Sequence, residues 1–307
     1  MDYYFDKYRL QGILGEGGMA TVYLARLEGH RDFRRRVALK VIHAHLSHRE
    51  EFIRWFTKEA RLGGYLSHPN LISTLDFREA QGCLFLVMEY VEGCTLKHIL
   101  NHAMAQEAPL SLTAVGELVQ AMLQGLASAH QATDDDGQPL QLVHRDLKPS
   151  NVLIGKNGAI KIADFGVARA KLSSEDTEHT GMVKGTLTYM APEQAQGLRQ
   201  LDQRADLFAI AAMTYELLTL NYLQDRSLPA LILQEQIKTA QYETPLRALE
   251  RDPERAELVP FLRKGLARDP AARFSSAQEM LRAVQSLRPV LMSGPSLHDW
   301  MEDGGFD

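Results

Sequence analysis

One run near the middle of the chain, His144-Arg145-Asp146-Leu147-Lys148-Pro149-Ser150-Asn151, constrains the fold more than any other feature. It sets an acid, a cation and a carboxamide within one short loop. Asp146 can take a proton from an attacking hydroxyl, Lys148 can hold a phosphoryl group in transfer, and Asn151 can turn its carbonyl oxygen to a hard cation such as Mg²⁺. A chain that uses this loop needs phosphate-binding groups upstream and a second metal-binding carboxylate downstream.

Both are present in order. Tyr8 to Leu27 reads as two strands around the glycine-rich turn Leu14-Gly15-Glu16-Gly17-Gly18-Met19-Ala20-Thr21-Val22, where glycines let a backbone approach phosphates closely. Next comes Val37-Ala38-Leu39-Lys40-Val41-Ile42, a β-rich run with one lysine among apolar neighbours. Beside a glycine loop, Lys40 can pair with nucleotide phosphates. From Glu50 to Leu66, Phe52, Trp55, Phe56, Leu62 and Leu66 recur at helical spacing. Glu59 on this helix is the expected ion-pair partner of Lys40. Gly63 and Gly64 in its last turns each cost about 1 kcal/mol against alanine, which predicts a helix that moves easily. Leu71 to Asp76 and Cys83 to Tyr90 read as strands, the second ending at Met88-Glu89-Tyr90-Val91 before Glu92-Gly93. A boundary between two lobes is expected there, with main-chain groups at Glu89 and Val91 facing an adenine edge and Met88 limiting the pocket depth.

Beyond the boundary the periodicity turns helical, over Thr95 to Met104 and Leu112 to His130. The acidic stretch Asp134-Asp135-Asp136-Gly137 lacks the pattern of a calcium loop and reads as a solvated turn. After the central loop, Val152-Leu153-Ile154 and Ile160-Lys161-Ile162 form a hairpin leading to Asp164-Phe165-Gly166, a second carboxylate suited to Mg²⁺. Gly185 to Glu193 then closes a polar loop that begins at Val167.

A net charge of −5 argues against a general nucleic-acid binder, and Arg34-Arg35-Arg36 reads as a solvated hairpin flank. No run approaches the ~20 apolar residues of a membrane span; Leu207 to Leu220 is the most apolar stretch and contains Glu216. Two cysteines, Cys83 and Cys94, cannot build a disulfide framework, so a reducing cytoplasm is expected.

Taken together, these motifs resemble the eukaryotic-like, or Hanks-type, serine/threonine protein kinases of bacteria, over nearly all of Tyr8 to Leu287. The resemblance implies an α+β fold of two lobes: a small β-rich N-lobe with one regulatory helix (1–91) and a larger helical C-lobe (92–288). It implies ATP and Mg²⁺ as cosubstrate and metal, protein substrates, and transfer of the γ-phosphoryl group to a protein hydroxyl. Carried over position by position, Lys40 and Glu59 form the ion pair, Asp146 is the base, Lys148 steadies the γ-phosphate, and Asn151 and Asp164 bind the metal. Nucleotide contacts are implied for Leu14, Gly15, Gly17, Gly18, Val22, Ala38, Lys40, Met88, Glu89, Val91 and Leu153. Lys148 also matches the serine/threonine signature. Thr186 resembles the threonine that contacts the catalytic aspartate and lysine, Glu193 the glutamate that pairs with a late arginine, here Arg273, and Asp206 the aspartate that braces the catalytic loop. Arg145 implies control by a phosphorylated activation loop, with Thr180 the phosphosite and Glu178 a fixed negative charge.

The sequence departs from that pattern at three places. Ala20 replaces a loop glycine, Leu220-Asn221-Tyr222-Leu223 stands where relatives have a glycine and a proline-phenylalanine pair, and Gly63 replaces an aliphatic residue. The last departure predicts dependence on a homodimer or an activating partner. A nucleotide-binding pseudokinase or scaffold is the alternative function, opposed by intact Lys40, Asp146, Asn151 and Asp164; a kinase of small metabolites is opposed by the Ala191-Pro192-Glu193 segment. Residues 289–307, rich in Pro, Gly, Ser and acids, are expected to form a flexible tail, the other reading being a peptide docked through Leu297 and Trp300. Neither the membrane helix nor the sensor domains of many relatives is seen.

Overall fold

The computed structural model describes residues 3–165, 187–198, 200–224, 227–239 and 242–304. Packing divides them into two compact units that change over in sequence at Val91 and Glu92.

The first unit is an antiparallel sheet of six strands with one helix. The strands are β1 (Tyr3–Phe5), β2 (Tyr8–Glu16), β3 (Ala20–Glu28), β4 (Arg34–Ile42), β5 (Thr74–Ala80) and β6 (Cys83–Glu89), in the order β1-β2-β3-β4-β6-β5. β4 is apolar at successive positions because both of its faces are covered. Val37 and Leu39 pack with Tyr8, Ala25, Phe85 and Val87 on one side. Ala38 and Ile42 pack on the other with Phe52, Phe56 and Ala60 of α1 (Glu50–Gly64). The strand period of two puts Lys40 on this α1-facing side, in step with Ala38 and Ile42. The three arginines that open β4 are exposed, and Arg36 stacks over the Tyr90 ring with its guanidinium 5.3 Å from the centroid.

Strand β5 begins at Thr74, three residues later than its apolar pattern predicts, with a register shift against β6 between Thr74 and Asp76. Thr74 also explains a glycine. A β-carbon added to Gly63 would lie 2.4 Å from Thr74 Oγ1, so α1 approaches β5 at a place where only glycine fits without displacement.

The second unit is mostly helical. A three-stranded sheet of β7 (Gly93–Thr95), β8 (Val152–Gly155) and β9 (Ile160–Ile162) carries the central loop. The helices α2 (Leu96–Ala105) and α3 (Leu112–His130) precede it. Then come α4 (Pro192–Ala195), α5 (Arg204–Thr219), α6 (Ala230–Thr239), α7 (Glu243–Leu249), α8 (Val259–Gly265) and α9 (Ala277–Ser286). Every residue of α5 from Ala205 to Leu218 is buried, which explains why its sequence is apolar without a polar face. It ends at Leu220, whose φ of +56° is the left-handed conformation that a glycine adopts without strain. The departure from glycine at this position is thus carried as local backbone strain. The acidic turn is self-satisfied: the Asp134 carboxylate accepts from the Asp136 and Gln138 amides at 3.1 and 2.8 Å.

The expectation of a flexible tail is corrected by the structure. Two short helices, α10 (Arg288–Leu291) and α11 (Leu297–Asp303), pack on α3. Leu291, Leu297 and Met301 are buried, Leu291 against Gly116. The Leu297 amide donates to Glu117 Oε2 at 2.8 Å, and the Trp300 ring meets His102 edge-on at 5.9 Å. Between the helices Gly294 takes φ +93°, and a β-carbon built on it would lie 2.8 Å from Ser111 Cβ, a conformation and a closeness that exclude a side chain. Leu297 is buried as the docked-peptide reading expects, while Trp300 is only partly buried. Among the described residues no helix is long and apolar enough to cross a membrane.

Candidate active site

Within the first unit, the Lys40 Nζ lies 2.6 Å from Glu59 Oε1, and both side chains are largely buried. Glu59 can reach because it follows Phe56 by three residues and precedes Ala60, on the side of α1 that faces the sheet. The expected pair is therefore formed within this unit. The glycine turn is a hairpin closed by the Gly17 amide on Ala20 O at 2.9 Å. Among the described residues, chain neighbours apart, no atom lies within 4 Å of a β-carbon built on Gly15 or Gly18. Leu14 is exposed on β2, while Val22, Ala38 and Met88 line the α1-facing side of the sheet. One expectation narrows: the Glu89 amide donates to Ser73 O at 3.0 Å and its carboxylate accepts from the Ser73 amide, so that N–H is not available to an adenine edge. Val91 closes this unit.

The second unit gathers the central loop around Asp146. Lys148 Nζ donates to Asp146 Oδ2 at 2.8 Å. The Asn151 amide nitrogen donates to the Asp146 carbonyl at 2.9 Å and stands 3.5 Å from Asp146 Oδ2, which leaves the amide oxygen on the opposite side. A carbonyl oxygen so turned, with Asp164 as a carboxylate, is the oxygen-donor chemistry that a hard cation requires. Asp164 holds φ +57°, a left-handed conformation for a residue with a β-carbon. Leu153 sits on β8 between Thr95 and Lys161.

The loop backbone is strained and braced. Arg145 has φ +67°, which costs on the order of 1–3 kcal/mol and persists only where surroundings enforce it. Asp206, 1% exposed at the start of α5, supplies the force: its carboxylate accepts from the His144 amide at 2.8 Å and the Arg145 amide at 2.9 Å. Burial raises the Asp206 pKa, but the hydrogen bond and electrostatic pull of His130, with the contribution of His144, outweigh it and hold the carboxyl below its ordinary value. His144 is itself fully buried. Its Nδ1 accepts from the Asp146 amide at 3.3 Å, its Nε2 bonds the Ala163 carbonyl at 3.0 Å, and its ring lies 4.8 Å from that of Phe165. One imidazole thus ties the loop to the Asp164 segment.

Glu193 and Arg273 form a two-pronged pair, each nitrogen–oxygen distance 2.7 Å, with the Arg273 side chain wholly buried. Sequence reasoning missed two contributors. His130 Nε2 lies 2.9 Å from Asp206 Oδ2, and the Gln194 amide donates to the Arg145 carbonyl at 2.9 Å. Neither carries a sequence signal, since each acts on the loop from a distant helix. Thr180, Glu178 and Thr186 lie outside the described residues.

A lysine–glutamate pair in a β-rich unit and a braced acid–lysine–asparagine loop in a helical one define the class: a family model for the protein kinase domain matches residues 8–284, and the chain belongs to that family. It is 37% identical over 295 residues to the tyrosine-protein kinase MasK of Myxococcus xanthus, covering 94% of this chain and 44% of that protein. It is 36% identical over 278 residues to the serine/threonine-protein kinase PrkC of Bacillus subtilis, covering 89% and 39%. The chain therefore spans less than half the length of these relatives. Among solved structures, the kinase domain of Mycobacterium tuberculosis PknI matches with a TM-score of 0.64 at 29% identity, covering 93% of this chain and 97% of that one. Membership implies ATP as cosubstrate, typically with Mg²⁺, and protein substrates.

Proposed function

We propose that this chain is a serine/threonine protein kinase that transfers the γ-phosphoryl group of ATP to protein hydroxyls. The observation that carries the reading is the convergence of Lys148 and Asn151 on Asp146, inside a loop whose backbone Asp206 holds in a strained conformation. In this reading Asp146 accepts the hydroxyl proton, Lys148 steadies the moving phosphoryl group, and Lys40, oriented by Glu59, holds the nucleotide phosphates. The glycine turn covers the phosphates with its amides, and Val22, Ala38, Met88 and Val91 of the same unit frame the base. Asn151 and Asp164 would hold Mg²⁺, which when bound neutralises phosphate charge. Residues 1–91 then act as the N-lobe and 92–288 as the C-lobe. Phosphorylation of Thr180, read by Arg145, is the proposed switch, and free Cys83 and Cys94 support a reducing compartment.

One relative bears the name of a tyrosine kinase. Lys148, two residues after the catalytic aspartate, supports serine and threonine for this chain. Incubation with labelled ATP and Mg²⁺, followed by phosphoamino-acid analysis, tests both points. Label on serine or threonine that Asp146→Asn abolishes is expected. Equal labelling by Asp146→Asn, or label on tyrosine alone, overturns the reading.

A further inference from the structure

We infer that His43 is a positioning residue for the phosphate loop, fastening the loop's second strand to the end of the strand that bears Lys40. The inference deepens the reading of residues 14–22 as a phosphate-binding hairpin and rests on it.

Strands β3 and β4 pair Val22 with Lys40, Thr21 with Val41 and Ala20 with Ile42. The ladder does not stop there. The His43 amide donates to Met19 O at 3.0 Å, carrying the pairing into the turn. The side chain adds a second tie, with His43 Nε2 3.1 Å from Thr21 Oγ1. Thr21 lies opposite Val41 and so diagonal to His43, on the sheet face away from Val22 and Lys40. His43 therefore acts through the backbone, without touching a nucleotide on the other face.

Two features make this tie count. Thr21 is only 6% exposed, so water does not readily replace a lost partner for its hydroxyl. Among the described residues nothing packs within 4 Å of a β-carbon at Gly15 or Gly18, so the placement of the loop tip depends on where Met19 to Thr21 are anchored. The His45 ring, 5.6 Å from that of His43, limits how the imidazole turns. A hairpin anchored in advance loses less freedom when it closes on phosphates, which strengthens nucleotide binding more than it speeds the chemical step.

Titration of the full chain with MgADP, and steady-state kinetics in MgATP, test the inference. His43→Ala and Thr21→Val are each expected to weaken nucleotide affinity about fivefold, the scale of one net hydrogen bond, with a parallel rise in KM and kcat changed less than twofold. The double variant is expected to bind no worse than either single one, because both remove the same bond. Thr21→Ser, which keeps the hydroxyl, should restore tight binding. Additive losses, or unchanged affinity in variants that melt like the parent, overturn the proposal. If His43→Ala does not fold, the Thr21→Val and Thr21→Ser pair still decides. Absence of phosphotransfer in the parent chain would refute the kinase reading, whereas the MgADP titration reads the tie independently.

Discussion

The adjacent glycines of α1 give a test in which two neighbouring substitutions of the same kind move stability in opposite directions. Replacing a helical glycine by alanine removes a backbone entropy cost and gains roughly 0.5–1 kcal/mol. At Gly64 nothing among the described residues lies within 4 Å of the added methyl, so the gain stands, and stabilisation by about 0.5 kcal/mol is expected at this last helical position. At Gly63 the methyl meets Thr74 Oγ1 at 2.4 Å and Thr74 Cβ at 3.4 Å, about 1 Å short of an ordinary contact for the hydroxyl. Threonine is β-branched and stiff at χ1, so relief requires a shift of α1 or β5, and overpacking of this kind costs about 1–3 kcal/mol. The clash outweighs the helix gain, giving a net destabilisation of about 1 kcal/mol for Gly63→Ala. Removing the obstruction in Gly63→Ala/Thr74→Ala should recover the helix gain. Urea unfolding midpoints of the single and double variants provide the measurement. If Gly63→Ala and Gly64→Ala both stabilise, Gly63 serves helix softness, as the sequence pattern suggests, and the close-packing account is wrong.

Three further outcomes are expected. Arg273→Leu removes one partner of a buried two-pronged pair and strands the Glu193 charge with three carbonyls, at Ala267, Arg268 and Arg204, so unfolding free energy should fall by about 3–5 kcal/mol; a loss under 1 kcal/mol would contradict the buried geometry. Asp206 has a folded pKa below its unfolded value, so its contribution to stability is complete above roughly pH 4 and is lost as pH falls through the depressed folded value. Asp206→Asn should therefore be less stable at neutral pH and show a shallower acid limb, measured by melting temperature against pH; an unchanged limb argues against the brace. Ending the chain after Leu287 exposes the surface under Leu291, Leu297 and Met301, and a loss of about 2–4 kcal/mol is expected once the ordering entropy of the segment is offset. Unchanged melting would show that α10 and α11 do not hold α3.

Elements with strong periodicity were legible before any coordinates. Leu112–His130 is a helix over the range its apolar spacing predicts, and the β4 lysine stands among apolar residues as read. Boundaries were weaker where packing overrides pattern: β5 begins late because its first residues enter from the His68-Pro69-Asn70 turn, and β1, three residues long, has too little pattern to be seen. The docked tail is only the second reading of its sequence for a related reason. Leu291, Leu297 and Met301 are too sparse to outweigh Pro, Gly and acids in composition, and only α3 reveals that they share a face.

Chemistry held within a few residues follows from the local order of the chain. Asp146, Lys148 and Asn151 meet because one loop joins them, and Phe52, Phe56 and Glu59 share a side of α1 because the helix repeats every 3.6 residues. Asp206 and the Glu193–Arg273 pair were foreseen through resemblance to a family, since no local pattern announces partners 61 or 80 residues away. Packing alone brings His130 and Gln194 to the loop, sets His43 against Thr21, and makes Thr74 demand a glycine at position 63. The physical reason is the same in each case. Short-range geometry follows from backbone dihedrals that the local residues set, whereas contacts between distant segments follow from how apolar faces pack, which the chain specifies only as a whole.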